Sequence, residues 1–197
     1  MGSELHSDEE APQKLERDID IAGRLSFKAR FVLIFGEINQ ATARTTCERL
    51  IALTHESDAP ITVLISSPGG HVESGDAIHD FIKFVQVPVT TVGAGWVASA
   101  GTHIFLAPPK DRRVCLPNTR FMIHEPGGGA GGQATDVAIQ AKEMLRTRER
   151  IARVIARQTG QPLEKVRADM ERDFWMNAEE AIEYGIASRI VETHEEL

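Results

Sequence analysis

Val97-Ala98-Ser99-Ala100-Gly101 follows an apolar run, Val87–Gly95, that reads as a strand, and it opens a run that reads as a helix. A serine at such a junction has its hydroxyl at the positive end of a helix dipole, beside backbone N–H groups without intrahelical partners. That is a place to hold an attacked carbonyl and the oxyanion that forms on it. The junction is not the Gly-x-Ser-x-Gly elbow of α/β-hydrolases, because Val97 stands where the first glycine would be. Three other segments carry matching chemistry. Ile61–Ile65 is a strand-length apolar run broken by Ser66-Ser67-Pro68-Gly69-Gly70, whose glycines let backbone approach another group and turn N–H donors outward. Asn118–Pro126 is a short strand ending in His124, a residue type suited to general-base work near neutrality, before the loop Gly127–Gly132. Met170–Met176 sets an acid at a helix end among large apolar groups. Spacing leaves the acid open: Asp76, Asp80, Asp136, Asp169 and Asp173 all qualify.

Repeated βα patterns must position these residues. The strand candidates are Phe31–Phe35, Ile61–Ile65, Val89–Val92, Val114–Leu116, Phe121–Ile123 and Ile186–Val191. The first helix carries Ala43, Cys47, Leu50, Ile51 and Thr54 on one face, and the next carries Ala77, Ile78, Phe81, Ile82 and Val85. The longest helix spans about 133–158, with Val137, Ala141, Met144, Ile151 and Ile155 along a stripe, and Gly160 and Pro162 mark a stop and a restart. Further helices are expected over about 163–172 and 178–184. The pattern predicts an α/β fold with a largely parallel sheet.

Composition narrows the function classes. A chain of 197 residues with 42% hydrophobic and 26% charged residues supports one domain with a sizeable core. The apolar runs are far too short to span a bilayer. The acidic N-terminus lacks the apolar core of a secretory signal. Two cysteines, Cys47 and Cys115, imply no disulfide framework and fit a reducing cytoplasm. Residues 1–20 hold seven acids against Lys14 and Arg17, most of the net charge of −7, so the body is close to neutral and offers no basic footprint for nucleic acid. An acidic, disordered segment is expected over 1–18 and a single domain over 19–197. His71, His79 and His103 lack metal-ligand spacing, and no P-loop follows the glycine-rich stretches.

Ser66–Gly70, Cys115-Leu116-Pro117-Asn118, Met122–Pro126, Gly132-Gln133-Ala134-Thr135-Asp136 and Glu171-Arg172-Asp173, in that order, resemble the Clp protease proteolytic subunit, ClpP, over about Ile21 to Val191. The resemblance implies the ClpP/crotonase superhelix of ββα units with a projecting handle helix. It also implies an ATPase-fed, self-compartmentalising serine endopeptidase with nucleophile Ser99, base His124 and orienting acid Asp173. The oxyanion donors would be the N–H groups of Gly70 and Ala100, the latter standing where the family usually has methionine. Glu171 and Arg172 would form a ring-contact charge sensor. Implied partners are further copies in heptameric rings, two of them stacked through the long helix, a Clp-family ATPase unfoldase and unfolded polypeptides. No cofactor is expected in the subunit, ATP being used by the unfoldase. Thr62 and Leu64 fall where many members carry tyrosines of the unfoldase-docking pocket, and Phe84, Val114 and Leu116 would leave a less aromatic version of it. Two alternatives remain: a structural subunit in a mixed ring with a paralogue, and a crotonase-type acyl-CoA enzyme, which the complete Ser/His/Asp set disfavours.

Overall fold

A computed structural model describes residues 21–129 and 131–197. The acidic 1–18 segment anticipated from the sequence lies outside the described residues. Residues 21–28 are helical (α1). Seven strands then form one sheet: β1 (Phe31–Phe35), β2 (Ile61–Ser67), β3 (Val89–Ala98), β4 (Arg113–Cys115), β5 (Arg120–Ile123), β6 (Phe174–Met176) and β7 (Arg189–Ile190). Its main path runs β1-β2-β3-β4-β7, all parallel, with β5 parallel to β3 and β6 antiparallel to β5. The helices are α2 (Gln40–Glu56), α3 (Val72–Phe84), α4 (Ala100–Phe105), α5 (Ala134–Thr159), α6 (Leu163–Asp169) and α7 (Ala178–Tyr184).

Local chemistry sets these boundaries. Asn39 caps α2 by accepting from the Thr42 N–H, and Asn177 with Glu180 forms a reciprocal capping box on α7. Gly160 ends α5 in the left-handed conformation that glycine adopts without steric cost. The core lies between the sheet and α2, α3 and the second half of α5, around Ile34, Leu50, Ile65, Ile78, Ile104, Phe105 and Phe121. Phe105 and Phe121 meet with ring centroids 4.9 Å apart, a tilted pair that adds to their area burial.

Several expectations shift by a few residues. In α2 the buried face is Ala43, Thr46, Leu50 and Leu53, and Ile51 is exposed, so the stripe is rotated from the expected one. In α3 the buried residues include Ser74, Gly75 and His79. α6 stops at Asp169, before the expected 172, and the chain re-enters the sheet as β6, a strand hidden in what reads as a helix end. The final strand is two residues long rather than six.

The strand expected over Val89–Val92 continues to Ala98, directly before the serine. It changes partner on the way: Thr91–Gly93 pair with β4 and Trp96–Ala98 with β5. Between these stretches the register against β2 shifts, and Gly95 takes φ +61°. A glycine at such an irregularity bends the strand where a side chain would strain it. α5 buries Ala152 and Ile155, while its first half exposes Ile139 and Leu145. Of the expected stripe Ile155 is buried, Val137, Met144 and Ile151 are half-buried and Ala141 is exposed, whereas Ile139 and Leu145 lie off it.

Candidate active site

Strand β3 delivers Ser99 to the N-terminus of α4. Ser99 takes φ +54° and ψ −120°, a conformation that non-glycine residues seldom adopt. Such strain of about 1–3 kcal/mol persists only where surrounding structure enforces it. Here the enforcement is visible. The Ser99 N–H donates to the Met122 carbonyl at 2.9 Å. The buried Thr102 hydroxyl lies 2.7 Å from the Val97 carbonyl and 2.8 Å from that of Met122. One turn of α4 thus ties the end of β3 to the end of β5.

His124 follows β5, and the β5–β6 pairing places its acid. Phe121 pairs with Met176, Met122 with Trp175 and Ile123 with Phe174, so continuing the antiparallel register sets His124 opposite Asp173. His124 Nδ1 is 2.9 Å from Asp173 Oδ1, and Nε2 is 2.8 Å from Ser99 Oγ. The carboxylate fixes the proton on Nδ1, which leaves Nε2 to accept from the serine hydroxyl. Arg120 stacks over Trp175 at 4.5 Å to the ring centroid and reinforces the same strand pair. Glu125 adds two ties: its N–H donates to the Met170 carbonyl at 2.7 Å, and its carboxylate meets Arg148 Nε at 2.9 Å. Of the five acids open on spacing, Asp173 is the one that meets His124. Asp76 pairs with His103 and Arg150, and Asp169 with Lys165 and Tyr184.

The Ser66–Gly70 turn closes over Ser99. The Gly69 N–H donates to Ser67 Oγ at 3.0 Å. A Cβ on Gly69 (φ +97°) would stand 2.6 Å from Ser99 Cβ and 3.1 Å from the Ala100 nitrogen. One on Gly70 (φ +146°) would stand 2.3 Å from the Ile38 carbonyl oxygen. Both positions therefore require glycine. The flanking Ile38 and His71 amides are spent on the Gly69 and Ile38 carbonyls, whereas no described backbone bond takes the Gly70 N–H. The Ala100 N–H, at the first turn of α4, likewise has no described backbone acceptor. A cavity beside the serine is lined by Val72, Ala100, His103, Ile123, Pro126, Ile151 and Ile155 together with Ser99 and His124.

The remaining expected residues lie elsewhere. Glu171 and Arg172 are exposed in the turn leading to Asp173. Leu64, Val114 and Leu116 pack in a satellite cluster with Val92 and Val191, and Val114 is fully buried within it. Thr62 shares the partly exposed face of β2 with Leu64. Phe84 is exposed at the end of α3 beside Phe81, outside that cluster. Sequence reasoning passed over Thr102, whose hydrogen bonds set the serine, and treated His103 only as a metal candidate. Among the described residues no group of three or more His, Cys, Asp or Glu could hold a metal ion.

A serine, a histidine and an aspartate in a hydrogen-bonded series on a ββα superhelix define a serine-hydrolase type of protein. A sequence model described as Clp protease matches residues 13–194. The chain is 52% identical over 171 residues to the ATP-dependent Clp protease proteolytic subunit 3 of Rhizobium johnstonii, covering 87% of this chain and 88% of that one. It is 53% identical over 180 residues to subunit 2 of Gluconobacter oxydans, covering 90% and 80%. The structure of ClpP1 from Listeria monocytogenes superposes with a TM-score of 0.81 at 48% identity, over 90% of this chain and 99% of that one. The chain belongs to the Clp protease family of serine endopeptidases.

Proposed function

We propose that Ser99 is the nucleophile of this peptidase, His124 its general base and Asp173 the orienting acid, with the N–H groups of Gly70 and Ala100 as oxyanion donors. The observation that carries the reading is the continuous Asp173–His124–Ser99 hydrogen-bond series at 2.9 and 2.8 Å. Ser99 Oγ attacks the peptide carbonyl while His124 Nε2 takes its proton. His124 then gives that proton to the leaving amine, and water repeats the sequence on the acyl-enzyme. Asp173 holds the imidazole in the tautomer this requires and stabilises the imidazolium. Each oxyanion donor contributes about 10²–10³-fold in rate.

The substrates are unfolded polypeptides, handed over by an ATP-driven unfoldase to a chamber of two stacked heptameric rings in the cytoplasm. Support comes from the family, from relatives named as ATP-dependent, and from the apolar residues Ile139 and Leu145 that α5 leaves exposed for a facing ring. Glu171 and Arg172, exposed two and one residues before Asp173, serve as the ring-contact pair. Thr62, Leu64, Phe84 and Leu116 offer the unfoldase a weakly aromatic surface, with Val114 beneath it as packing. A ring shared with a paralogue is the second reading, favoured by relatives that carry the numbered names subunit 3 and subunit 2.

A fluorophosphonate probe tests the site: it labels Ser99 in the assembled protein, and Ser99→Ala removes both labelling and peptide cleavage. Peptidase activity retained by Ser99→Ala would refute the assignment. Native mass measurement, with and without a paralogue, tests the assembly.

A further inference from the structure

Of the acids that spacing leaves open, Asp76 takes no part in the Asp173–His124–Ser99 series, yet its helix packs directly on the turn that follows the nucleophile. Gly75, Asp76 and His79 share one face of α3, at spacings of three and four residues. Gly75 brings α3 so close to α4 that a Cβ there would stand 3.1 Å from Ala100 Cβ. Asp76 Oδ1 is 3.0 Å from Nε2 of His103, a residue only 6% exposed. Burial pushes the Asp76 carboxyl up, but hydrogen bonds from His103 and Arg150 outweigh it and hold the group at about 2. A carboxylate can only accept, so the ring N–H donates, in the neutral ring and the imidazolium alike. His79 donates from Nδ1 to the His103 carbonyl at 2.8 Å, and the two rings stack with centroids 4.4 Å apart.

α4 is therefore gripped from two sides by adjacent residues. The Thr102 hydroxyl ties it to the ends of β3 and β5 through the Val97 and Met122 carbonyls. His103 ties it to α3, and its own N–H closes the turn on the Ser99 carbonyl at 3.1 Å. Between these anchors and the serine lies Ala100, whose N–H has no described backbone acceptor. Asp76 is itself held from a third helix: the oxygen that faces His103 also accepts from Arg150 Nη1 of α5 at 2.5 Å. Arg150 stands where α5 leaves the core, with Ala152 and Ile155 buried after it and Leu145 exposed before it. One carboxylate oxygen thus joins the long helix to the turn that carries the oxyanion donor.

We propose that Asp76 is a positioning residue of the peptidase: by holding His103 against α3 it sets the direction of the Ala100 N–H, and through Arg150 it makes that direction depend on where α5 lies. This rests on Ser99 being the nucleophile and Ala100 an oxyanion donor. Asp76 itself touches no reacting atom. With its carboxylate removed, the His103 N–H and the Arg150 guanidinium lose their shared acceptor, and α4 keeps only the Thr102 anchor and the His79 bond. The donor then strays from the oxyanion. That oxyanion forms only after attack, so the loss falls on the transition state and spares substrate binding.

The test measures kcat and KM on a fluorogenic peptide with the assembled protein, per site titrated by a fluorophosphonate. Beside it stands the affinity of a peptide boronate, whose tetrahedral adduct on the serine places an oxygen on the oxyanion donors. Asp76→Ala should lower kcat about 10–100-fold, part of the cost of a missing donor, with KM within about twofold. Boronate affinity should fall in parallel. Arg150→Leu, which leaves the His103 bond in place, should lower kcat about 3–10-fold, and Arg150→Lys should restore it. Glu149→Gln is the control for a loosened α5: its carboxylate binds Arg153 and Arg167, and its loss should leave kcat within about twofold. A kcat near wild type in Asp76→Ala, a loss carried by KM alone, or an equal loss in Glu149→Gln overturns the proposal. Should Asp76→Ala fail to assemble, the Arg150 variants decide it: kcat unchanged in Arg150→Leu, or not recovered by Arg150→Lys, overturns it as well. Ser99→Ala run in parallel separates the two readings. Cleavage retained there removes the site assignment and the positioning with it, whereas an inactive Ser99→Ala beside unaffected Asp76 and Arg150 variants removes the positioning alone.

Discussion

Gly69→Ala should impair catalysis far more than stability alone explains. The new Cβ would stand 2.6 Å from Ser99 Cβ and 2.8 Å from the Ala98 carbonyl oxygen, at φ +97°. Carbon atoms settle at about 3.5–4.0 Å, so the turn and the serine must separate by roughly 1 Å. A 1 Å misplacement at the reacting centre costs about 100-fold in rate. The backbone conformation adds about 1–3 kcal/mol of strain on its own. Gly160→Ala isolates that second effect, because Gly160 takes φ +80° at the end of α5 with nothing within 4 Å of its Cβ position. The control should lose about 1 kcal/mol, or about 2–4 °C in Tm, and keep its kcat. The assay is kcat on a fluorogenic peptide, with thermal unfolding of both variants. A Gly69→Ala protein with kcat within twofold of wild type would refute the idea that this turn sets the serine.

Thr102→Val should destabilise by about 1–3 kcal/mol, leaving the Val97 and Met122 carbonyls without the hydroxyl, and should lower kcat; Thr102→Ser should restore both, and no rescue by serine would contradict this role. Burial, aided by the charge of His103, pushes His79 from 6.5 down to about 4, so on acidification the unfolded chain takes up this proton before the folded protein does. The His79 contribution is therefore neutral above about pH 6.5 and destabilising by roughly 3 kcal/mol as pH falls to about 4; denaturant titrations of wild type and His79→Phe should converge in slope above that window and diverge within it, and parallel curves throughout would refute the shift. Ala141→Pro removes a helical hydrogen bond in the exposed half of α5 at a local cost of about 3 kcal/mol and should yield smaller assemblies by light scattering, whereas an unchanged mass would count against a ring contact through this helix.

What was legible in the sequence tracks how local its cause is. Ser99, Gly69 and Gly70 stand at strand ends, where a break in apolar pattern and the chemistry of glycine announce a turn, and the largely parallel character of the sheet follows from strand-sized runs between helices. The α5 boundaries, Ala134–Thr159, were close to expectation because Gly160 is a local stop signal. β6 was not legible. Phe-Trp-Met is three residues long, begins a short turn after a helix, and becomes a strand only by pairing with β5 across some fifty residues of intervening chain. Asp173 has the same origin. Its selection among five acids depends on the antiparallel register that Ile123 and Phe174 establish, and spacing alone carries no trace of it. His103 was hidden for a related reason: a histidine in an apolar helix turn becomes informative only when Asp76, Arg150 and His79, from two other helices, are seen around it.

The site is unevenly restrained, and the asymmetry follows its elements. Ser99 is fixed by a central strand, by Thr102 and by two glycines that admit no side chain. Asp173 is more than half exposed and hangs from β6, a strand of three residues paired on one side. Short edge pairings with exposed ends open at lower free energy than central strands do. Of the hydrogen-bonded series, the Asp173 end is therefore the part a neighbouring molecule can reach and stabilise, with Glu171 and Arg172 exposed immediately before it. A contact there needs to add little energy. Exposed ion pairs contribute about 0–1 kcal/mol, so a contact at Glu171 and Arg172 would act by positioning this end rather than by adding much stability. In this arrangement Ser99 is set by central elements, while the acid that orients His124 rests on a short strand paired on one side.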